Sequence, residues 1–344
     1  MADVGTLPEP LAEVAPPKNR SGGAAWAAWL ARRLGLAVLT LWLVSVLVYF
    51  ATTALGDPVR AILGKDYGSD KARVAQLTKQ LNLDESIVTR YVHWLGNLLT
   101  GDLGTSIANQ QSVGSQISGN VANTFVLVLI SAVVMIPVAF GVAMISTNYR
   151  RRRPDTIIQT ILLMLASLPE FVIGILLVAI FATSVFHWLP AVTISGPGVH
   201  PWTQPKTMIM PVATLVLAVA PYVSRIVRST LLEVLDSDYV ELARLKGIPE
   251  RVVMRKHALL NAVVPGIQVI ALQLAWLAGG VVLVERVFNY PGVGNQLVDS
   301  VQNHDVPMVQ ALTLIIAGVY VVVNLLADLL SILLTPRART AISS

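Results

Sequence analysis

The chain has 344 residues, of which 54% are hydrophobic and 13% charged, and its mean hydropathy is +0.66. A soluble domain would carry about twice that share of charged residues, so we predict a polytopic membrane protein. The formal net charge of +5 does not point to nucleic acid, because the basic residues lie beside apolar stretches. The absence of cysteine excludes disulfides, thiolate catalysis and cysteine-based metal sites.

The N-terminal stretch 1–28 is rich in Ala and Pro and has no basic segment followed by an apolar core. This composition argues against a cleaved signal peptide and predicts a disordered cytoplasmic tail. An apolar span follows Arg32 and Arg33, and it forms the first predicted transmembrane helix, 29–56. Its basic start places the N-terminus on the cytoplasmic side.

The polar stretch 57–120 contains apolar residues at helix-like spacing, which predicts a small helical extracytoplasmic unit. The remainder of the chain, 121–334, holds five more apolar spans, at about 121–146, 156–185, 207–227, 264–284 and 307–334. Four consecutive arginines at 150–153 indicate a cytoplasmic turn between two of them. Six spans return the C-terminal tail, 335–344, to the cytoplasm. The predicted fold class is therefore an all-α integral membrane protein with six transmembrane helices.

A charged loop, 228–262, separates the fourth and fifth spans. Its central part, Asp236–Pro265, reads DSDYVELARLKGIPERVVMRKHALLNAVVP. The pattern predicts a helix that starts at Asp238, with an acidic residue three positions on, and stops at Gly247. A second helix is predicted after Pro249, which suits a first helical turn.

The first of these short helices carries an apolar stripe, because Tyr239, Leu242 and Ala243 fall at i, i+3 and i+4. The charged residues Glu241 and Arg244 face elsewhere. So short a helix is marginal in water and needs a surface against which to pack. The residues alone leave two interpretations open, a loop lying on lipid headgroups or a docking element for another protein.

Glu241, Leu242 and Ala243, followed by three residues and Gly247, resemble the EAA loop by which permease subunits of bacterial ABC importers dock into their ATPase subunits. The segment as far as Pro265 is similar to the version of that loop in dipeptide and oligopeptide permeases. Leu242 replaces the Ala of the general motif, and Pro265 lies farther from Gly247 than the motif's Pro. The loop between the fourth and fifth spans is thus expected to contain a coupling helix.

Further fragments in chain order resemble the B-type permease subunit of these importers. They are LGDP at 55–58, GDLGTS at 101–106, VERVFNYPGVGNQLVDSVQNHDVPMVQ at 284–310 and NLLADLLSILLTPRAR at 324–339. The resemblance implies that the ATPase is contacted by residues of the predicted coupling helix and its end, namely Asp238, Tyr239, Glu241, Leu242, Ala243, Arg244, Lys246 and Gly247.

The resemblance also implies an assembly in the bacterial inner membrane. This chain would form a heterodimer with a C-type permease subunit, in contact with membrane lipids, two ATPase subunits or one fused ATPase, and an extracytoplasmic peptide-binding protein. No nucleic acid is expected as a partner. ATP and Mg are expected on the ATPase subunits and no cofactor on this chain, which contains no G-x-x-x-x-G-K-[ST] motif. The chain is therefore expected not to be an enzyme by itself.

The expected cargo is a di- or oligopeptide, while glutathione, haem and nickel chelates stay open as alternatives. A secondary, ion-coupled transporter is a rival class. Such a carrier usually has two halves with matching hydropathy, and the charged loop has no second copy in the sequence. An intramembrane enzyme is a further rival, but the spans contain no nucleophile-base pair and no His-x-x-x-His metal pair.

Glu170 follows Pro169 near the middle of the predicted third span. An ionised carboxylate there costs on the order of 3 kcal/mol, which favours a position facing the translocation pathway. The alternative is a protonated or paired Glu170 that braces a proline kink. Nearer the end of the last span, Asp328 is expected to pair with Arg337 or Arg339.

Arg225 and Arg228 lie one helical turn apart at the end of the fourth span. We expect them to anchor that end at the lipid headgroups, with Glu233 or Asp236 as alternative partners. Kinks are expected at the prolines within the spans, which are Pro137, Pro169, Pro211, Pro221 and Pro265.

Overall fold

The computed structural model describes residues 22–53, 59, 63, 71–80, 83–194 and 199–334 of the chain. The tail predicted over 1–28 is thus described from residue 22 onward. The C-terminal tail, 335–344, and the LGDP fragment at 55–58 lie outside the described residues.

Almost all of the described chain is helical, and extended pairing within it is limited to an isolated bridge between Thr105 and Ser112. The all-α integral membrane fold predicted from the sequence is confirmed. In chain order the main helices are α1 (Gly22–Thr53), α2 (Lys71–Gln80), α3 (Ile87–Leu99), α4 (Val113–Asn148), α5 (Arg153–Ser167), α6 (Glu170–Val178), α7 (Pro205–Leu235), α8 (Asp238–Leu245), α9 (Leu259–Val287), α10 (Val293–Gln302) and α11 (Val306–Leu334).

By length and composition, α1, α4, α7 and α11 are each able to cross a membrane. The bent pair α5–α6 makes a fifth span if it is counted as one. Helix α9 occupies the place of the predicted fifth span and contains a shorter apolar segment, Asn261–Gln273. Each of the six predicted spans therefore coincides with one of these helices or with the bent pair.

The third span differs from the prediction of one helix over 156–185. It is broken into α5 and α6, whose axes differ by 104°. Leu168 adopts an extended backbone and Pro169 precedes the first residue of α6. Proline disfavours a helical conformation in the residue before it and cannot donate a backbone hydrogen bond, so a helix ends at this point. By contrast, Pro137, Pro211, Pro221 and Pro265 lie inside continuous helices.

Helix ends also differ from the predicted boundaries. Helix α1 begins at Gly22, inside the predicted tail, because the run Ala24–Trp29 favours helix. Helix α4 begins at Val113, inside the predicted extracytoplasmic unit, and α7 continues to Leu235, inside the predicted loop 228–262. These helices extend beyond their apolar residues, since backbone hydrogen bonding continues into the polar flanks.

Helix α7 is the centre of the fold. In its most apolar stretch 72% of the residues are buried, against 17% in α1 and 28% in α4 and in α11. Its side chains Leu215, Val223 and Leu231 are fully buried against α4 and α9. The Ser224 hydroxyl donates a 3.0 Å hydrogen bond to the Ala139 carbonyl of α4. The outer helices α1, α4 and α11 consequently present apolar side chains to lipid or to other membrane chains.

One end of the helix bundle holds Arg33, Arg228 and the four arginines at 150–153, and we refer to it as the basic end. There Arg33 of α1 forms a 2.8 Å ion pair with Asp328 of α11. Arg337 and Arg339, the partners expected for Asp328, lie outside the described residues. Arg33 reaches Asp328 because α1 and α11 lie side by side in opposite directions. The pair connects the first and last spans.

The opposite end is organised around the fully buried carboxylate of Glu285, in the last turn of α9. Thr124 of α4 donates to Oε1 at 2.6 Å, and the backbone N–H groups of Gly294 and Asn295 donate to Oε2 at 2.7 and 3.1 Å. A Cβ atom on Gly294 would lie 2.5 Å from the Cα of Val282. Glycine at this position therefore allows α10 to pack directly on α9.

Candidate functional site

The candidate site is the corner formed by the end of α7, the short helix α8 and the start of α9. Helix α8 begins at Asp238, as predicted from the sequence. Its N-cap residue is Ser237, whose carbonyl accepts the N–H groups of Val240 and Glu241 at 3.0 and 3.2 Å. The Ser237 hydroxyl donates back to Val234, so no side chain caps α8.

Helix α8 ends in a left-handed turn at Gly247, where φ is +76°. The N–H of Gly247 donates to the Arg244 carbonyl at 2.9 Å, and the N–H of Ile248 donates to the Ala243 carbonyl at 3.2 Å. This pair of bonds is a Schellman motif, which satisfies the last carbonyls of a helix and strongly favours glycine at the left-handed residue. The turn fixes the direction in which the chain leaves α8.

The two sides of α8 have different surroundings. Val240 is completely buried and Ala243 is 7% exposed, and both belong to the main apolar core. Tyr239, Leu242 and Leu245 are 45%, 57% and 78% exposed. The stripe predicted from the sequence is therefore divided, because Ala243 packs inward whereas Tyr239 and Leu242 lie on the outer surface. The outer surface also includes Leu245, which the motif did not indicate.

Arg244 lies among the residues predicted to contact the ATPase, but its guanidinium forms contacts within the chain. It donates to both carboxylate oxygens of Glu250 at 2.7 and 3.0 Å and to the Leu235 carbonyl at 3.1 Å. These bonds connect the end of α8 with the end of α7 and with the segment that follows. Hydrogen bonding from Arg244 lowers the pKa of the Glu250 carboxyl. The predicted residues Asp238, Glu241, Lys246 and Gly247 are exposed.

The segment after Pro249 runs into α9 without a non-helical break. A helical turn, Glu250–Val252, is followed by a π-helical turn, Val253–Ala258, and then by α9. Val253 and Ala258 are fully buried in the core. In addition, the Asn261 amide donates to the Tyr239 hydroxyl at 2.9 Å. Helix α8 is thus connected to α9 both along the chain and by a side-chain hydrogen bond.

The turn between α4 and α5 is bound to the same corner. Arg150 donates to the Asp236 carboxylate at 2.8 Å, and this hydrogen bond lowers the pKa of Asp236. Close by, Arg228 of α7 donates to both oxygens of Asp155 in α5, which is only 7% exposed. Ser146 of α4 donates to the same carboxylate at 2.6 Å.

These contacts correct the expectation for Arg228, whose partner is Asp155 rather than Glu233, Asp236 or the headgroups. Asp155 was missed because the four arginines at 150–153, which precede it, indicate only the topology of the chain. A single acidic residue close after this basic run was the one feature of the sequence that could have indicated an ion pair here. Together, Arg150 and Arg228 join the candidate site to α5.

The second predicted site, Pro169 and Glu170, lies at the bend between α5 and α6. Pro169 is exposed and Glu170 is half-buried. Within the described chain, Glu170 has no hydrogen-bonding or ion-pair partner, so the alternative of a paired carboxylate that braces the bend is not seen. Helix α5 has 15 residues and is therefore about 22 Å long. Glu170 and the α8 corner are thus separated by the length of α5.

No group of three or more His, Asp or Glu side chains in the described ranges is arranged to hold a metal ion. The arrangement at the α8 corner offers an exposed apolar and charged surface on a helix whose other side packs on the end of α7 and on the turn that precedes α9. Such an arrangement suits mechanical contact with a partner rather than a chemical reaction.

Comparison with known proteins gives the same assignment. Residues 135–340 match the family described as binding-protein-dependent transport system inner membrane component, and residues 27–128 match its N-terminal part. The glutathione transport system permease protein GsiC of Pectobacterium atrosepticum is 36% identical over 312 residues, covering 90% of this chain and 98% of that protein. The GsiC proteins of Escherichia coli K12 and Salmonella choleraesuis are 35% and 36% identical, over 90% of this chain and 97% and 98% of theirs.

The family match spans most of the chain, and the relatives are aligned over nearly their whole length. A protein of this kind is the membrane component of a transport system and is not catalytic by itself. With several membrane-crossing helices, it is a multi-pass protein of a bacterial inner membrane. The chain therefore belongs to the family of binding-protein-dependent transport system inner membrane components and is a permease subunit of an ABC importer of the peptide family.

Proposed function

We propose that this chain is the B-type permease subunit of an ATP-driven importer for di- or oligopeptides and that α8 is its coupling helix. The observation that carries the proposal is the divided surface of α8. Val240 and Ala243 fix one side to the core, while Leu242 and Leu245 remain exposed on the other. An exposed leucine pair at i, i+3 on a rigidly held helix fits a cleft in an ATPase subunit.

The coupling helix and the basic end would lie in the cytoplasm, and both chain termini with them. The four arginines at 150–153 and the charged corner lie at the same end, as the Arg150–Asp236 contact requires. Short loops rich in Lys and Arg face the cytoplasm in membrane proteins. This orientation presents α8 to ATP-hydrolysing subunits.

The partners that the proposal requires are a C-type permease subunit, two ATPase subunits or one fused ATPase, and an extracytoplasmic peptide-binding protein. ATP and Mg would be bound by the ATPase subunits. Closure of the ATPase on ATP would displace α8, and the continuous helix from Glu250 into α9 would transmit that displacement to the spans. This chain would form half of a pathway that opens alternately to the two sides.

Glutathione is the second candidate cargo, because the relatives are glutathione transport system permease proteins. It is itself a small peptide with a cationic amino group and two carboxylates, so a peptide pathway accommodates its chemistry. Uptake of radiolabelled dipeptide, pentapeptide and glutathione by the reconstituted importer, each with its co-purified binding protein, distinguishes the two. Transport of nickel chelate or haem in place of all three would refute a peptide cargo.

Glu170 is proposed to line the pathway and to attract the cationic N-terminus of a peptide in transit. The support is a half-buried carboxylate at the α5–α6 bend without a partner in the described chain. Replacing it by Gln keeps the size and removes the charge. Uptake of a peptide with a free amino terminus should then fall relative to an N-acetylated peptide. Unchanged uptake of both peptides over a range of pH would refute this role.

The coupling role is tested with Leu242→Asp and Glu241→Lys in the complete importer in proteoliposomes. Both changes should leave membrane insertion intact and uncouple ATP hydrolysis from uptake, because they alter an exposed surface. Val301→Asp, at the exposed side of α10, is the matched control and should retain coupled uptake. Normal uptake with both α8 variants would contradict the proposal.

A further inference from the structure

Helix α3 has apolar residues over more of its circumference than the part that packs on the rest of the described chain. One part of this apolar arc packs on α1, where Tyr91 and Trp94 lie 5.3 and 5.2 Å from the Tyr49 ring. The Tyr91 hydroxyl also forms a buried 2.9 Å hydrogen bond with Ser45. This contact fixes α3 against the end of α1 that is remote from Arg33.

The contact with Ser45 places part of α3 at the level of the hydrocarbon core of the bilayer. Helix α1 ends at Thr53, eight residues beyond Ser45, which corresponds to about 12 Å along the helix. Counted from Arg33, the hydrocarbon core of about 30 Å takes up roughly 20 helical residues and thus extends to the end of α1. Tyr91 therefore contacts a part of α1 that lies inside the hydrocarbon.

The rest of the apolar arc of α3 is uncovered. Val88, Val92 and Leu99 are 61%, 59% and 80% exposed, and with Leu95 they recur at spacings of four and three residues. Such a spacing forms one continuous stripe on a helix. The polar residues lie on the opposite side, so α3 has the two-sided composition of helices that rest in a membrane surface. These polar residues are Thr89, Arg90, His93 and Asn97.

The exposed stripe is continuous with the lipid-facing surface of α1. Phe50 lies between them, since its ring is 6.3 Å from that of Tyr91 and the side chain is 40% exposed. Beyond it, Leu47 and Trp42 of α1 are 70% and 49% exposed, and as residues of a membrane span they contact lipid. The exposed stripe of α3 adjoins this lipid-facing side of α1 at the same depth, so we infer that it also contacts lipid.

We propose that α3 is an interfacial helix, with Val88, Val92, Leu95 and Leu99 inserted among the acyl chains of one leaflet and its polar side at the headgroups. The partner of this surface is phospholipid. The stretch between the first two spans, predicted from the sequence to be a small helical extracytoplasmic unit, would then be partly embedded in the membrane at α3. This placement is independent of the coupling role of α8.

The test uses single cysteines, for which the chain offers a clean background because it contains none. Val92→Cys and Leu99→Cys report on the stripe, and Thr89→Cys and Asn97→Cys are matched controls on the polar side of the same helix. Each variant of the complete importer is reconstituted in phosphatidylethanolamine–phosphatidylglycerol nanodiscs and labelled with a nitroxide. Collision rates with oxygen, which concentrates in hydrocarbon, and with a water-soluble nickel chelate are then measured by electron paramagnetic resonance.

The stripe positions should show an oxygen-to-nickel collision ratio about tenfold above that of the controls, because water is excluded from the hydrocarbon core. Equal ratios at Val92 and Asn97 would overturn the proposal in favour of a water-exposed helix. Low collision rates with both reagents at Val92 and Leu99 would overturn it in favour of a protein partner. Coupled uptake by each variant, measured in closed vesicles of the same two lipids, verifies that the labelled importers are folded.

Discussion

The Arg228 guanidinium donates to both carboxylate oxygens of Asp155, at 3.1 Å to Oδ1 and 2.7 Å to Oδ2. The two residues lie 73 positions apart and join the end of α7 to the start of α5. Ser146 of α4 donates to the same carboxylate, so three helices meet at one buried charge. Because α8 follows α7 directly, this pair connects the proposed coupling helix with α5, and through α5 with the bend at which Glu170 lies.

Removing one partner of this pair should destabilise the protein strongly. Arg228→Met leaves the Asp155 charge buried and unpaired, which typically costs about 3–5 kcal/mol. The double variant Arg228→Met, Asp155→Leu removes both charges and should recover most of that loss. Free energies of unfolding in detergent, measured by denaturant titration, check both expectations. Arg225→Met, one turn away and exposed, is the control and should change stability by less than about 0.5 kcal/mol.

Gly294→Ala tests the close packing of α10 on α9. A Cβ at this position would lie 2.5 Å from the Val282 backbone, so the two helices must separate. We expect a loss of about 1–3 kcal/mol, the usual cost of overpacking. Gly318→Ala is the matched control, because a Cβ there meets no atom within 4 Å, and it should be neutral or slightly stabilising. Equal melting temperatures of the two variants would contradict the packing.

Gly247→Ala tests the left-handed turn that ends α8. A Cβ on Gly247 would have open space, so the cost comes only from the positive φ and should be about 1–2 kcal/mol. The strain should weaken the end of α8, raise hydrogen exchange there and lower uptake per ATP hydrolysed. Gly247→Asn should recover part of the loss, since Asn tolerates this conformation. Unaltered exchange in the Ala variant would show that the turn is not required.

The sequence located α8 correctly at its C-terminal end, because the left-handed turn at Gly247 depends only on bonds to near neighbours. The side of α8 that packs inward was not predictable, since Tyr239, Leu242 and Ala243 form one stripe and only the position of α7 decides which of them is covered. The partner of Arg228 was missed because Asp155 lies 73 positions away along the chain, so that only the packing of α5 against α7 brings the two together. At Pro169 the sequence indicated a kink, whereas the 104° bend depends on how α6 packs against α7 and α9.

The ion pair between Arg244 and Glu250 should give α8 a small pH-dependent stability. Hydrogen bonding from Arg244 lowers the pKa of Glu250 in the folded protein, so its contribution is complete above the unfolded pKa, about 4.3. It is lost as the pH falls through the lower folded value. The pair is well exposed, so we expect less than about 1 kcal/mol. The melting temperature of Glu250→Gln should lie below that of the unaltered protein at pH 7, and the difference should shrink as the pH falls below the unfolded pKa of Glu250. A difference that persists at low pH would mean that the amide loses packing rather than charge.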